Sequence, residues 1–186
     1  DVPVVQMDSV IGNKSGKVLL TMFSQNTNLL LAFLRDHNTA RSVLDVFNDL
    51  YAMFGRETYC RLFPVILTDR GSEFSNPVPI EQDENDELRS LVFYCNPSVP
   101  YQKGGIEVAH ELVRRVLPKG KSFDDLQQED IDLMLSHINS YKRGKLNSRS
   151  AYQLFNFIYG DDILPKLNIR EIEANDIVLS PKLLKK

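Results

Sequence analysis

The chain has 186 residues, 42% of them hydrophobic and 25% charged, with a formal net charge of −3. That is the composition of an ordinary globular domain with a sizeable core, and it excludes a disordered or fibrous chain. No run approaches the 18 or more apolar residues of a membrane-spanning helix. Cys60 and Cys95 stand apart from each other and from any histidine, which argues against a disulfide framework or a zinc site and for a reducing cytoplasm.

In chain order, Val2 to Ile11, Lys17 to Ser24 and Leu29 to Asp36 read as three strands separated by turn residues, an antiparallel meander. Thr39 to Phe54 has apolar residues at helical spacing and is expected to end at Gly55. Val65-Ile66-Leu67-Thr68 is a short buried strand. Reached through a helical crossover, it should run parallel to a neighbour. Asn76 to Glu87 is expected as a loop and Arg89 to Cys95 as a further strand, with residues 96–100 held extended by two prolines. Helices are expected over Gln102 to Leu117, Asp124 to Tyr141 (with Ser122 a possible cap) and Ala151 to Tyr159. Residues 161–186 follow as a C-terminal extension to a core of residues 1–160. The start at Asp1, one residue before a strand pattern, suggests a piece cut from a longer protein. No internal repeat is present.

Charge is unevenly placed. The run Glu81-Gln82-Asp83-Glu84-Asn85-Asp86-Glu87 holds five acids and no base, so that the rest of the chain carries +2. Basic residues gather at Arg114, Arg115, Lys119 and Lys121, and again at Lys142, Arg143, Lys145 and Arg149. Such clusters suit phosphate contacts, and a solvated mixed surface accounts for either cluster alone equally well.

Three carboxylates are candidates for chemistry. Asp69 ends the strand Val65 to Thr68, where an ionised group beside a core is costly unless paired. Asp8 lies inside the first strand, and Glu107 opens a helix after Gly104-Gly105. On a helical wheel Ile106, Ala109, Val113, Val116 and Leu117 form the buried stripe, while Glu107, His110 and Arg114 share one flank. Glu111, one turn on, is a rival third acid. Taken singly, each of these residues reads as an ordinary turn, bulge or helix-edge residue.

Taken together, Asp8, Asp69 and, after 37 intervening residues, Glu107 resemble a DDE triad. Thr68-Asp69-Arg70-Gly71-Ser72-Glu73-Phe74, Tyr94-Cys95-Asn96-Pro97 and Pro100-Tyr101-Gln102-Lys103-Gly104-Gly105-Ile106-Glu107 are similar to the "integrase core" domain of bacterial insertion-sequence transposases. His110 to Gly120 and Ala151 to Phe155 extend the resemblance, as does Leu179 to Leu184. Val108, Asn96 and Ala151 depart from the family's usual Asn, Asp and Pro, and the family's N-terminal DNA-binding helices are missing.

The resemblance implies an α/β, ribonuclease-H-like fold: a mixed five-stranded sheet, antiparallel meander plus parallel strands, flanked by helices. It implies a DNA transposase core that cleaves and transfers strands with two Mg²⁺ or Mn²⁺ ions held by Asp8, Asp69 and Glu107. Glu73 and His110 are then candidates for supporting the site, and Lys103, Arg114 and Arg115 for contacting DNA. The implied partners are transposon-end and target DNA and further copies of the chain, acting at the nucleoid of a bacterial cytoplasm. The rivals are an inert transposase-derived assembly module and a nuclease that hydrolyses without joining.

Overall fold

The structure is a computed structural model that describes residues 2–13, 15–96 and 100–184, without the side chains of residues 100, 101 and 145. Positions 97–99 of the proline-held segment, the first residue, Lys14 and the last two lysines lie outside the described residues, as does the Lys145 side chain of the second basic cluster.

Five strands form one sheet in the order β3-β2-β1-β4-β5. β1 (Val4–Ile11), β2 (Val18–Ser24) and β3 (Leu30–Arg35) are the antiparallel meander, rich in the β-branched and large apolar side chains that suit a pleated surface. β4 (Val65–Thr68) pairs parallel to β1, and β5 (Leu91–Tyr94) parallel to β4. The sheet is therefore mixed, as expected.

The crossover from β3 to β4 is α1 (Ala40–Leu62), capped by the Thr39 hydroxyl accepting the Ser42 N–H. The end expected at Gly55 is a break in the helical backbone within this span. Gly55 takes φ 72°, a left-handed conformation open to glycine, and the helix then resumes. The reason is the core: Tyr59 and Leu62 beyond the kink are buried with Phe47 and Leu50 before it.

Within the expected loop 76–87 one turn of helix forms, α2 (Val78–Glu81), and Asp83 accepts the Asn85 and Glu87 backbone N–H groups to close the rest. α3 (Gly104–Val116) packs on β1 and β2. Its Ile106, Ala109, Val113 and Val116 are all fully buried, while Val108 is 50% exposed, as the wheel requires. α4 (Gln128–Ser140) packs on β3 and starts later than expected. Gln127 and Asp130 form its capping box, whereas Ser122 closes a separate turn with Asp124.

α5 (Ala151–Tyr159) and α6 (Ile163–Lys166) complete the helices. The C-terminal segment is tied down by polar groups of α4. Ser136 Oγ accepts the Arg170 N–H at 3.1 Å, Ser140 Oγ the Ile172 N–H at 2.9 Å, and His137 Nδ1 the Val178 N–H at 3.0 Å. Leu164, Leu167, Ile169 and Leu184 join the core. Among the described residues no helix is long and apolar enough to cross a membrane.

Candidate active site

Parallel pairing of β1 and β4 aligns Gln6 with Leu67, so two residues further on Asp8 lies beside Asp69. Neighbouring strands are about 4.8 Å apart, close enough for two carboxylates to repel unless a cation lies between them. Lys103 supplies it. Its Nζ is 3.0 Å from Asp8 Oδ2 and 3.2 Å from Asp69 Oδ2, and the residue is only 7% exposed.

The other oxygen of each carboxylate is held by backbone. Asp8 Oδ1 accepts the Ser9 N–H at 2.8 Å, and Asp69 Oδ1 accepts the Gly71 N–H at 2.9 Å. A side chain at Gly71 would collide with the Glu73 carboxylate at 2.6 Å. The Asp-Arg-Gly turn therefore aims one Asp69 oxygen at the cation.

Two residues before Asp8, the buried Gln6 docks the start of α3. Its Oε1 accepts the Ile106 N–H at 2.7 Å and its Nε2 donates to the Gln102 carbonyl at 2.9 Å. Gly105 permits the contact, since a Cβ there would lie 2.4 Å from the Phe23 ring. This contact brings Lys103 and the first turn of α3 to the ends of β1 and β4.

On the same face Thr21 is fully buried and paired with Asp8 across β1 and β2. Its single hydroxyl proton goes to the Asp8 carbonyl at 3.0 Å. His110 Nε2, 2.8 Å from the Thr21 hydroxyl oxygen, is therefore the donor to that oxygen, which selects the Nε2–H tautomer. Burial pushes the His110 imidazole below its ordinary value, against the Asp8 charge and with help from Lys103 and Arg114, so the ring is neutral. Arg114 donates from Nη2 to the Ile11 carbonyl at 3.0 Å, and its Nη1 is buried without a hydrogen-bond partner. Cys95 follows β5 beside the pair, and burial keeps its thiol protonated by raising it above the usual range.

The opposite face of β1 carries a second network. Ser9 Oγ donates to Glu73 Oε1 at 2.8 Å, Asn38 Nδ2 donates to the same oxygen at 3.3 Å, and Arg35 donates to Ser9, Asn38 and Ser42. Arg35 is 4% exposed; burial lowers its guanidinium to about 10, opposed by Glu73, so it stays charged at neutral pH. Glu73 thus links the 3-10 turn Ser72–Phe74 after Asp69 to the residue after Asp8.

Of the residues expected at the site, the structure brings Asp8, Asp69 and Lys103 into contact, with His110 joined to Asp8 through Thr21 and Glu73 through Ser9. Glu107, Glu111 and Arg115 are exposed on α3. Among the described residues no three His, Cys, Asp or Glu side chains form a group able to hold a metal ion, so Glu107 is not clustered with the two aspartates. Sequence reasoning missed Gln6, Thr21, Arg35 and Asn38. For the first two the available signal was a polar residue inside an apolar strand.

The pair supplies oxygen donors of the type that Mg²⁺ or Mn²⁺ takes, without a complete ligand set among the described residues. Two hard carboxylate oxygens, each fixed from behind by a backbone N–H, already share one cation, the ammonium of Lys103.

No protein-family model matches the chain. It is 28% identical over 151 residues, 81% of its length, to the protein named as integrase ORF3 of Spiroplasma virus SpV1-R8A2 B. It is 23% identical over 151 residues to the transposase for insertion sequence element IS4351 of Bacteroides fragilis, again across 81% of the chain. It spans 45% and 44% of those two proteins, under half of each. Among solved structures, the catalytic core domain of BIV integrase superposes with a TM-score of 0.54 at 21% identity, over 84% of this chain and 92% of that one. The chain is thus similar in sequence to integrases and insertion-sequence transposases, and it has the ribonuclease-H-like fold of retroviral integrase catalytic cores.

Proposed function

We propose that this chain is the catalytic core of a DNA transposase that cleaves and joins DNA strands, with Asp8, Asp69 and Glu107 as its metal-binding carboxylates. The observation that carries the reading is the pair of carboxylate oxygens, Asp8 Oδ2 and Asp69 Oδ2, aimed at one cation. Held by these residues, two Mg²⁺ or Mn²⁺ ions would supply Lewis-acid activation of a water or a 3′-hydroxyl and charge neutralisation at the leaving oxygen.

The protein's own part is to hold and orient. Asp8 and Asp69 present fixed oxygens, and Glu107, in the first turn of α3, is the third ligand. His110 acts through Thr21 on the Asp8 backbone, and Glu73 acts through Ser9 on the spacing of the two strands. Arg114 and Arg115 are the cations for backbone phosphates, and Lys103 neutralises the aspartate pair. In the joining step the 3′-hydroxyl oxygen bonds to the target phosphorus as the bond to the departing 3′-oxygen breaks. The proton lost by the attacking hydroxyl and the one gained by the leaving oxygen exchange with water. The partners are transposon-end and target DNA and further copies of the chain, in the cytoplasm.

The test is joining of a pre-cut transposon end to target DNA by the complete protein. Asp69→Asn should lower it by at least about a hundredfold, the scale of losing a charge-stabilising group. Undiminished joining would refute the metal-ligand role. One observation favours a second reading, an inert DNA-binding or assembly module: among the described residues a lysine, and no third carboxylate, completes the aspartate pair. DNA binding with neither hydrolysis nor joining would support it, and hydrolysis without joining would instead mark a nuclease.

A further inference from the structure

Lys103 is doing something that a phosphate-binding lysine does not need to do. Its side chain is only 9% exposed, and its ammonium lies in the gap between two carboxylates. Neither carboxylate is free to turn away, because Ser9 N–H and Gly71 N–H hold the opposite oxygens. The Oδ2 atoms that a divalent ion needs are the same two atoms that Lys103 contacts. One cation at a time can occupy the gap.

We propose that Lys103 is an internal counter-cation of the site, a positioning residue that keeps Asp8 and Asp69 poised in the metal-free protein and that a divalent ion must displace. The inference rests on the metal-binding reading above. Leaving the gap requires little of the fold. Lys103 stands at the N-cap of α3 with non-helical backbone, φ −114° and ψ 19°, so its side chain can swing without unwinding the helix. Beside it, a Cβ on Gly104 would meet no atom within 4 Å, whereas Gly105 is packed tightly against Phe23 and Gln6. The anchor of α3 is therefore Gly105 and Gln6, and Gly104, next to Lys103, faces open space.

The consequence is a measurable competition. An ion that binds only when the ammonium is out has its affinity reduced by the fraction of time the gap is open. If Lys103 fills the gap about nine-tenths of the time, removing its charge tightens metal binding about tenfold. The same change leaves two aspartates facing each other without a partner, which destabilises the metal-free protein.

The experiment is calorimetric titration of the purified protein with Mn²⁺ alone, for the wild type, Lys103→Met and Asp69→Asn, with thermal melts in chelator and in saturating Mn²⁺. Expected are Mn²⁺ binding lost in Asp69→Asn, binding about tenfold tighter in Lys103→Met, and a Lys103→Met protein that melts below wild type in chelator but gains more from Mn²⁺. Equal affinity in wild type and Lys103→Met, with Asp69→Asn still deficient, would overturn the counter-cation and leave the metal site standing. No binding that depends on Asp69 in either protein would overturn both. A lower melting temperature in Lys103→Met that Mn²⁺ does not recover would assign the lysine a purely structural part.

Discussion

The side-chain oxygen of Gln6 accepts the backbone N–H of Ile106 at 2.7 Å, which fixes α3 to the sheet one residue before Glu107. Gln6 also holds the Gln102 carbonyl, so one amide bridges the 3-10 turn Pro100–Lys103 and the helix it leads into. Gln6→Leu keeps the volume and removes both bonds. It should cost about 1–3 kcal/mol in denaturant unfolding, the price of unmet buried polar groups, and should weaken metal-dependent activity by shifting Lys103 and Glu107. Gly105→Ala should cost a similar amount, because its methyl meets the Phe23 ring. Wild-type stability in both variants would show that α3 is held by its apolar stripe alone.

Glu73 is a hydrogen-bond acceptor for Ser9 and Asn38 next to the buried Arg35. Gln retains the accepting oxygen and Ala does not. Glu73→Gln should therefore stay within about 1 kcal/mol of wild type, and Glu73→Ala should lose about 1–3 kcal/mol as Ser9 and Asn38 lose their partner. Strand joining should follow the same order. Equal loss of joining in both, with stability intact, would point to a direct charge role at the metal or the DNA.

These residues also mark where the sequence was legible. The sheet could be read because strand and turn residues alternate plainly through β1, β2 and β3, and Asp69 stood out because a charge at a strand end needs a partner. Lys103 was noticed as a cation but read as a phosphate contact, since its reach back to Asp8 depends on α3 docking against Gln6. That docking joins residues distant in sequence and leaves no local pattern. Gly55 breaks the helix where the apolar spacing ends, and the helical segment beyond it is held by burial of Tyr59 and Leu62 in the same core, which no local pattern announces. Helical spacing gave the side of α3 that Glu107 occupies, but not whether its carboxylate meets the aspartates.

The C-terminal segment depends on a neutral histidine. His137 Nδ1 accepts the Val178 N–H, and burial lowers this imidazole, with Arg170 lowering it further and Asp176 opposing. A value below the unfolded 6.5 means that the unfolded chain takes up the proton first. The stability it contributes is therefore present above about pH 6.5 and lost as pH falls through the lower folded value. The buried, neutral His110 acts in the same direction. Melting temperature should fall between about pH 7 and pH 5, and His137→Asn, whose Oδ1 takes the place of Nδ1 and can still accept from Val178, should flatten part of that slope. An unchanged slope would mean that His137 does not couple the segment to pH.

The central claim is that Asp8 and Asp69 are the floor of a divalent-metal site. A diffraction experiment on the protein with Mn²⁺, recorded at the metal's anomalous edge, tests it most directly. The account predicts an anomalous peak between Asp8 Oδ2 and Asp69 Oδ2, with the Lys103 ammonium displaced and the Glu107 carboxylate turned toward the ion. At saturating Mn²⁺, an aspartate pair still bridged by Lys103 and no peak beside it would contradict the account.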